Sequence, residues 1–414
     1  VRRKLSVDPT QHDLVLLPGW CQGPVETLTE AYGLPVVAGP REILDLPEWL
    51  GRPPAVPPDL SKHDIEIIAE INHAPRLTLT ETLRLADRYR RDGADVIDVG
   101  CVPGESWSGV GETVLALRDH GHRVSIDSFD RHEVEAAVAA GAQLVLSCNA
   151  SNRDWAVDLP VEFVVIPDDP AQPETMDETV ARLEQAGVAY RLDPILEPVG
   201  FGFGASLLRY AELRRRRPEA GIMLGIGNVT ELAQVDSAGM NLLLAALCQE
   251  WRIGSLLTTE VANWCQSCVR ELDVARRMVR HEVRERSLSK RTPQSMPFLP
   301  AARRAEPGEE VLGELAQRIT DPNVRLFISG DELHLLNRDG WWRGDDPFEL
   351  FDRFLAESGP VDAPHAFYLG YELAKAVTAL TLGKQYTQDR PLDWGLLTRP
   401  ETSAVERHQR GKSP

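Results

Sequence analysis

The chain has 414 residues, 43% of them hydrophobic, and a formal net charge of −18 at pH 7. This length suffices for one large domain and one or two small ones. The strong negative charge argues against a nucleic acid or an anionic membrane surface as a partner, and any phosphate site would need local donors. No apolar run approaches the ~18 residues that span a membrane, so we expect no membrane-embedded segment.

Six cysteines are scattered through the predicted strands and helices, which indicates reduced thiols and a cytoplasmic location. Cys265 and Cys268 form a C-x-x-C motif, but no second pair or histidine follows at a zinc-binding spacing. We expect packing thiols there, with a redox or metal role as the alternative. The N-terminus shows no signal-peptide pattern, and the strand-like run close behind Val1 is the pattern expected of a truncated N-terminus.

The first predicted region, residues 1–60, is a partial α/β unit. Its strands are DLVLLPG and PVVAG, with the helix PVETLTEAYG between them. The proline-rich stretch GRPPAVPPDL that follows is typical of a linker.

The second region, residues 62–290, alternates predicted strands with predicted helices. The strands are nearly continuous runs of Val, Ile and Leu, which is typical of parallel pairing. Eight strands in about 225 residues favour the α/β class and a (β/α)8 TIM barrel. Only the link NASNRDWAVDLP, between the fourth and fifth strands, lacks a clear helix. The predicted strands are EIIAEI (66–71), DVIDV (95–99), RVSID (123–127), QLVLS (143–147), EFVVI (162–166), YRLD (190–193), IMLGI (222–226) and SLLTT (255–259).

The third region, residues 295–400, is predicted to be a small C-terminal α+β domain. Its expected strands are FISG, ELHLLN and GWWRG. Its expected helices are DPFELFDRFLAES and HAFYLGYELAKAVTALTLG. The last residues, ERHQRGKSP, are predicted to be a disordered tail.

Polar side chains follow most strands of the predicted barrel, at the end where such barrels place their active sites. Carboxylates and carboxamides form paired, planar hydrogen bonds, which suit a flat heterocycle with ring N–H donors and amide acceptors, such as a pterin. The sequence has no Ser-His-Asp set, zinc motif, P-loop or G-x-G-x-x-G turn. The residues at these strand ends are Asn72, Asp98, Asp127, Asn149, Asp193 and Asn228.

Each of these residues also has a structural interpretation. Asp98 suits the turn after its strand, and Asp127 competes with Asp130 to cap the next helix. Asn149 is a typical turn residue, and the other positions allow similar roles. Six such residues at the same depth are harder to explain by chance, so we expect one shared cavity.

Several segments within residues 62–285 resemble the pterin-binding barrel superfamily, which includes dihydropteroate synthases and methyltetrahydrofolate:corrinoid methyltransferases. These segments are EINHAP, GADVIDVGCVPG, VSIDSFDRHEVEAAVAAGAQLVLSCNAS and LDPILEPVGFGFG. A narrower subgroup, the dihydropteroate synthase-related proteins linked to tetrahydromethanopterin biosynthesis, is similar in three further segments. They are GIGNVTELAQVDSAGMNLLL, LTTEVANWCQSCVRELDVARR and HAFYLGYELAKAVTALTLGKQYTQD.

The resemblance implies a transferase that joins a dihydropterin methyl diphosphate to an aryl amine and releases pyrophosphate. Asn72 would lie near the diphosphate and its Mg²⁺, and Asp98 would line the catalytic floor. Asp127, Asn149 and Asp193 would hold the pterin ring. The resemblance further implies no tightly bound organic cofactor, and it makes a homodimer an expectation.

Two segments depart from true dihydropteroate synthases. Gly-Asn-Val at 227–229 replaces their Ser-Arg-Lys, and Thr-Thr-Glu at 258–260 replaces their Arg-x-His. The missing cations favour an acceptor larger than aminobenzoate, with phosphate contacts from Mg²⁺, backbone N–H groups or Arg76. Asn228 is similar to an asparagine of the methyltransferases, and it would contact the pterin edge in either mechanism. The alternatives are methyl transfer to a corrinoid, for which His365 is the candidate cobalt ligand, and non-catalytic pterin binding.

Overall fold

A parallel pair of short strands lies in the N-terminal unit of the computed structural model, Val1–Asp59. The strands are β1 (Val15–Leu17) and β2 (Val36–Ala38), with helix α1 (Glu26–Tyr32) between them. Helix α1 ends at Gly33, whose φ of 70° forms a left-handed C-cap. A short helix, α2 (Leu46–Trp49), follows β2. The structure describes residues 11–21, 24–53, 58–286, 296, 301 and 305–401.

The second compact unit, Leu60–Pro414, is built around eight parallel strands. They are β3 (Glu66–Ile71), β4 (Val96–Gly100), β5 (Val124–Asp127), β6 (Leu144–Cys148), β7 (Glu162–Val165), β8 (Tyr190–Leu192), β9 (Met223–Gly225) and β10 (Ser255–Thr258). Neighbours along the chain pair from β3 to β8, and β10 pairs with both β9 and β3. A parallel bridge between Leu192 and Ile222 closes the ring. The predicted (β/α)8 TIM barrel is therefore confirmed.

Helices follow the barrel strands, and local signals set their ends. Thr78 and Glu81 form a reciprocal capping box at the start of the first one, and Gly93 ends it with a φ of 112°. The link between β6 and β7, predicted to lack a clear helix, holds a single four-residue turn of helix. These helices are α3 (Leu79–Asp92), α4 (Val110–Asp119), α5 (Arg131–Ala140), α6 (Arg153–Ala156), α7 (Met176–Ala186), α8 (Phe203–Arg216), α9 (Gly227–Thr230), α10 (Ser237–Trp251) and α11 (Cys268–Glu285).

Two apolar layers follow from the alternation of side chains along the strands. The larger cluster joins strand residues such as Ile67 to helix residues such as Val114 and Leu272, so it lies between the sheet and the helices. The smaller one contains strand residues alone and therefore fills the barrel interior: Ile68, Val96, Leu144, Leu146, Val164 and Met223. Since Ile68 faces inward, Glu70 on the same strand faces inward as well.

The C-terminal part has an antiparallel three-stranded sheet and its own apolar core. The predicted strands and helices are present, and a helix preceding them, α12, was not predicted. Gly313 in the middle of α12 weakens the helical signal of that segment. The elements are α12 (Glu309–Arg318), β11 (Arg325–Ser329), β12 (Glu332–Asn337), β13 (Gly340–Gly344), α13 (Pro347–Ser358) and α14 (Ala363–Leu382).

Several predictions fall on parts of the chain outside the described residues. The predicted tail, 406–414, lies there, and the predicted linker, 51–60, overlaps the undescribed residues 54–57. The three predicted domains, with boundaries near residues 60 and 295, stay predictions. Within the described ranges, no helix has both the length and the apolar character needed to cross a membrane.

Candidate active site at the mouth of the barrel

Three carboxylates meet at the carboxyl ends of neighbouring strands. Glu70 lies on β3, Asp98 on β4 and Asp127 on β5, and one oxygen from each lies within 4.8 Å of the others. The strand register explains their proximity, because Glu70 is paired with Asp98, and Gly100, two residues further along β4, is paired with Asp127. We call these three residues the carboxylate cluster.

Asp98 is the most deeply buried member of the carboxylate cluster, with no exposed surface. The Ser125 hydroxyl donates to its Oδ1 over 2.5 Å, from the position on β5 that is paired with Asp98. The other oxygen, Oδ2, is buried and has no hydrogen-bond partner among the residues that the structure describes. A buried oxygen without a partner is costly, which points to a ligand or a proton at this position.

The electrostatics of the carboxylate cluster oppose full ionisation. Burial raises the pKa of Asp98 well above its usual range, and the charges of Asp127 and Glu70 raise it further. Burial and the charge of Asp127 raise the pKa of Glu70 to about 7. Burial also raises the pKa of Asp127 to about 6. Like charges this close cannot all ionise without a compensating cation or shared protons.

Asn72, the predicted metal residue, lies at the edge of the carboxylate cluster. Its Nδ2 donates to Oε1 of Glu70 over 3.3 Å, so the structure places the two side chains together. The next strand leaves room for this arrangement, because a Cβ atom at Gly100 would lie 2.6 Å from the same Oε1.

Asp193 lies directly after β8 and is held by different partners. Its Oδ1 accepts hydrogen bonds from the Tyr210 hydroxyl (2.5 Å) and the Ile195 backbone N–H (2.8 Å). Burial raises the pKa of Asp193 to about 6, although these hydrogen bonds lower it. Its Oδ2 lies on the side of Gly225, 3.6 Å from where a Cβ of that residue would be. Since Gly225 faces the barrel interior, Asp193 presents its second oxygen there.

Asn149 is bonded within its own turn, whereas Asn228 links the segment after β9 to the loop after β8. Oδ1 of Asn149 accepts from the backbone N–H and the hydroxyl of Ser151, which is the turn role weighed as the alternative. Asn228 is exposed on the short helix α9, and its Nδ2 donates to the backbone oxygen of Leu196 over 2.9 Å. Neither residue contacts the carboxylate cluster through these bonds.

Two residues of the segment 258–260, at the end of β10, have protein partners. The Glu260 side chain is fully buried, pairs with Arg88 of α3 at 3.0 Å and accepts from the Val269 N–H of α11. Thr259 donates to Glu231, which also accepts two backbone N–H groups of the loop after β10. The segment thus supports the loop and brings no cation to the mouth.

Glu70 and Ser125 are the functional candidates that sequence reasoning missed. A signal for Glu70 exists, because an acidic residue inside a buried apolar strand, two positions before Asn72, must share its face. Ser125 likewise lies two positions before Asp127 on β5, so the two side chains share a face. The other predicted candidates have structural surroundings: Cys265 and Cys268 are buried free thiols, and His365 lies in the first turn of α14.

One curated relative shows where the chain belongs. The sequence is 30% identical to an uncharacterized protein of Methanocaldococcus jannaschii, and the alignment covers 79% of this chain and 69% of that protein. The chain belongs to the family of this archaeal protein. The name of the relative states no activity, and no protein-family model matches the sequence.

Among solved structures, the chain is similar to dihydropteroate synthases. The Yersinia pestis enzyme, solved with a pterine–sulfa conjugate, is 20% identical with a TM-score of 0.43, over 55% of this chain and 96% of that one. The Burkholderia cenocepacia enzyme, complexed with 7,8-dihydropteroate, is 22% identical with a TM-score of 0.41, over 54% and 92%. The strand pairing of this chain by itself establishes the barrel.

Proposed function

We propose that this protein is a pterin-dependent transferase that joins a dihydropterin methyl diphosphate to an aryl amine and releases pyrophosphate. The main support is that Asp98 and Asp127, to which the sequence resemblance assigns substrate contacts, lie together with Glu70 at one mouth of the barrel. Active sites of (β/α)8 barrels lie at this end of the strands.

The pterin ring is proposed to bind beside Asp193. An ionised carboxylate accepts hydrogen bonds from the 2-amino group and N3–H of a pterin, which are neighbouring donors in one plane. Tyr210 and the Ile195 N–H fix the orientation of the carboxylate from its far side. Gly225 carries no side chain next to Oδ2, which leaves space for a flat ring. Asp127 and Asn149 stay proposed as further ring contacts.

The diphosphate end is proposed to lie at Asn72 and the carboxylate cluster. Carboxylate and amide oxygens suit Mg²⁺, and the unpartnered Oδ2 of Asp98 fits a cation ligand. When bound, Mg²⁺ would neutralise charge on the leaving diphosphate. Without a cation, the acidic mouth would repel that group, so the residues present fit a magnesium-dependent reaction.

The acceptor is proposed to be a ribosylated aniline phosphate, as in tetrahydromethanopterin biosynthesis. Glu260 points to Arg88, and Thr259 points to Glu231, so the segment 258–260 offers no cation for the carboxylate of aminobenzoate. A larger amine with its own phosphate would make other contacts. Asn228, exposed on α9, is proposed to contact the pterin edge, and a cytoplasmic homodimer stays a prediction.

The decisive experiment measures pyrophosphate release from hydroxymethyl-dihydropterin diphosphate with Mg²⁺. We expect faster release with ribosylaniline phosphate than with aminobenzoate. Asp98→Asn should lower the rate at least ~100-fold, as losses of electrostatic stabilisation do. Glu219→Gln, a 90% exposed glutamate in the segment that leads into the amino end of β9, serves as the matched control and should keep the wild-type rate.

Other outcomes would reject the proposal in favour of an alternative. A cobalamin spectrum that changes on addition of methyl-tetrahydropterin, without pyrophosphate release, would indicate methyl transfer. Pterin binding with neither turnover would indicate a non-catalytic binding protein.

A further inference from the structure

We propose that the free protein holds a divalent metal ion through Glu70, Asp98 and Asp127 before any substrate arrives. This inference deepens the magnesium site proposed at Asn72 and the carboxylate cluster, because it adds that the carboxylates of the chain hold the ion before a substrate diphosphate arrives. The inference does not require the transferase reaction, since it concerns the binding of a metal ion by the chain alone.

The first support is geometric. One oxygen from each side chain lies within 4.8 Å of the other two. Oxygen ligands of Ca²⁺ lie at ~2.3–2.6 Å and those of Mg²⁺ at ~2.0–2.1 Å, so two ligands of one ion are at most about 4–5 Å apart. The three oxygens therefore surround a volume of the size that one ion requires. They come from three rigid strands whose register fixes their spacing.

A second, independent support is the unpartnered oxygen of Asp98. This side chain has no exposed surface, and Ser125 binds its Oδ1. The buried Oδ2 belongs to the same carboxylate and has no hydrogen-bond donor among the described residues. Oδ1 of Asp193, a buried oxygen at the same mouth, has a donor at an ordinary distance, and the other unpartnered oxygens in the described part of the barrel, those of Asn241, Gln249 and Glu282, lie on the outer helices α10 and α11. Oδ2 thus carries lone pairs that a cation in the carboxylate cluster would use.

A third support is the space above Gly100. This residue lies on β4 between Asp98 and the mouth, and a Cβ atom there would lie 2.6 Å from Oε1 of Glu70 and 3.2 Å from the Ile71 carbonyl oxygen. Any residue with a side chain would displace the Glu70 carboxylate. Gly100 therefore lets Glu70 approach its neighbours.

The charge around the site gives the last argument. Several other buried or half-buried carboxylates of the barrel face arginine: Asp95 and Asp273 pair with Arg276, and Glu66 with Arg191. Within the described residues, no lysine or arginine forms an ion pair with a member of the carboxylate cluster. A bound divalent ion would supply the missing positive charge.

The test titrates Mn²⁺ alone into the full-length chain after removal of metals by a chelator, without any pterin or phosphate. Free Mn²⁺ is followed by electron paramagnetic resonance, and heat by calorimetry. We expect one saturable site and a rise in melting temperature as it fills. Glu70→Gln and Asp127→Asn should each weaken binding at least ~10-fold, and the double variant should abolish it. Glu219→Gln, at the amino end of the barrel, should bind as the wild type does.

Gly100→Ala provides a second variant that keeps all three carboxylates. It should weaken Mn²⁺ binding while circular dichroism shows a folded barrel. The absence of saturable binding to the wild type, or unchanged binding in a folded Glu70→Gln/Asp127→Asn variant, would overturn the inference.

The two proposals can fail separately. Mn²⁺ binding without pyrophosphate release supports the metal site and rejects the reaction. Magnesium-dependent release by a protein that binds no Mn²⁺ in the absence of diphosphate supports the reaction and overturns the resident metal site.

Discussion

The two ends of the barrel surround a glutamate side chain with charges of opposite sign. Glu66 and Glu70 lie four residues apart on β3, and both face the interior. Glu66, at the amino end, contacts Arg123 at 2.7 Å and Arg191 at 2.8 Å. Glu70, at the carboxyl end, receives the Asn72 amide at 3.3 Å and faces two further carboxylates.

The pKa values of the two glutamates diverge for this reason. Burial alone would raise the pKa of Glu66, but hydrogen bonds and charge from Arg191 and Arg123 outweigh burial and lower it. For Glu70, burial and the charge of Asp127 act in the same direction and raise the pKa to about 7. Acidic residues at the amino end therefore stabilise the barrel, whereas those at the mouth are held in an unfavourable state that a ligand can relieve.

The amino end offers the largest expected effect. Arg191 spans the barrel floor, with Glu66 on β3, both oxygens of Glu162 on β7, and the Ser255 hydroxyl on β10. Arg191→Ala would leave Glu162 without its arginine and Glu66 with Arg123 alone, so we expect a loss of about 3 kcal/mol in the free energy of unfolding. Urea denaturation monitored by circular dichroism measures this loss.

An exposed arginine provides the control for that variant. Arg215 pairs with Glu212 on the surface of α8, where its side chain is 75% exposed. Arg215→Ala should cost under ~1 kcal/mol, since exposed ion pairs contribute little. If Arg191→Ala and Arg215→Ala changed the free energy of unfolding equally, the ion pairs of Arg191 at the amino end would have no special stabilising role.

At the mouth, the removal of a carboxylate should be detected as weaker binding of the pterin. Asp193→Ala removes the carboxylate proposed to accept from the pterin ring, and we expect pterin affinity to fall by at least ~2 kcal/mol, about 30-fold. Quenching of pterin fluorescence at pH 8 reports the dissociation constant.

Tyr210→Phe is the matched variant for Asp193. It removes the hydrogen bond to Oδ1 but leaves the carboxylate and its Ile195 N–H donor in place. Because the Tyr210 hydrogen bond lowers the pKa of Asp193, its loss raises that pKa from about 6, and the measurement is therefore made at pH 8. We expect less than ~5-fold loss of pterin affinity, equivalent to about 1 kcal/mol. Unchanged affinity in Asp193→Ala would remove Asp193 from the site.

The barrel could be predicted from the sequence because its signals are local. The predicted run EIIAEI coincides with β3, Glu66–Ile71, residue for residue. Buried parallel strands appear as continuous apolar runs, and glycines such as Gly93 and Gly141 end helices with positive φ. Asp98 and Asp127 were predicted at strand ends that share one cavity, and alternation along the strands explains why both lie on the inner face.

The partners of each side chain could not be predicted, since they depend on register and turn geometry. Glu70 lies opposite Asp98 because the register of β3 and β4 pairs Ile68 with Val96, which no local pattern encodes. The Asn149 oxygen binds Ser151, and this follows from the shape of one turn. The six predicted polar residues therefore fall into three groups. Asp98 and Asp127 belong to the carboxylate cluster with Asn72 at its edge, Asp193 is held separately, and two asparagines bind loop groups.

A smaller effect, of opposite sign to that of Arg191→Ala, is expected for Glu70→Gln in metal-free protein. The folded-state pKa of Glu70, about 7, lies above its usual value of 4.5, so its contribution to stability is present below pH ~4.5 and lost as the pH rises through 7. Glutamine does not ionise, so the variant does not lose stability as the pH rises. We therefore expect the variant to be more stable by about 1–2 kcal/mol at pH 8 and little different at pH 5.

Denaturation with a chelator at both pH values checks this prediction. Glu219→Gln, at the amino end of the barrel, should show no such pH-dependent gain. A Glu70→Gln variant less stable than the wild type at pH 8 would mean that Glu70 has a stabilising partner like that of Glu66, and the contrast between the two ends would fail.

The smallest stability effect is expected for Asn228→Ala. Asn228 is exposed on α9 and donates one hydrogen bond to the Leu196 oxygen, so its loss should cost under ~1 kcal/mol of unfolding free energy. If Asn228 contacts the pterin edge, pyrophosphate release should still fall about 10-fold, equivalent to ~1.4 kcal/mol in the activation barrier. A rate that falls without a matching change in stability would place Asn228 with the ligand-facing residues of the mouth. An unchanged rate would assign it to the loop that it holds, and the mouth would then depend on its carboxylates alone.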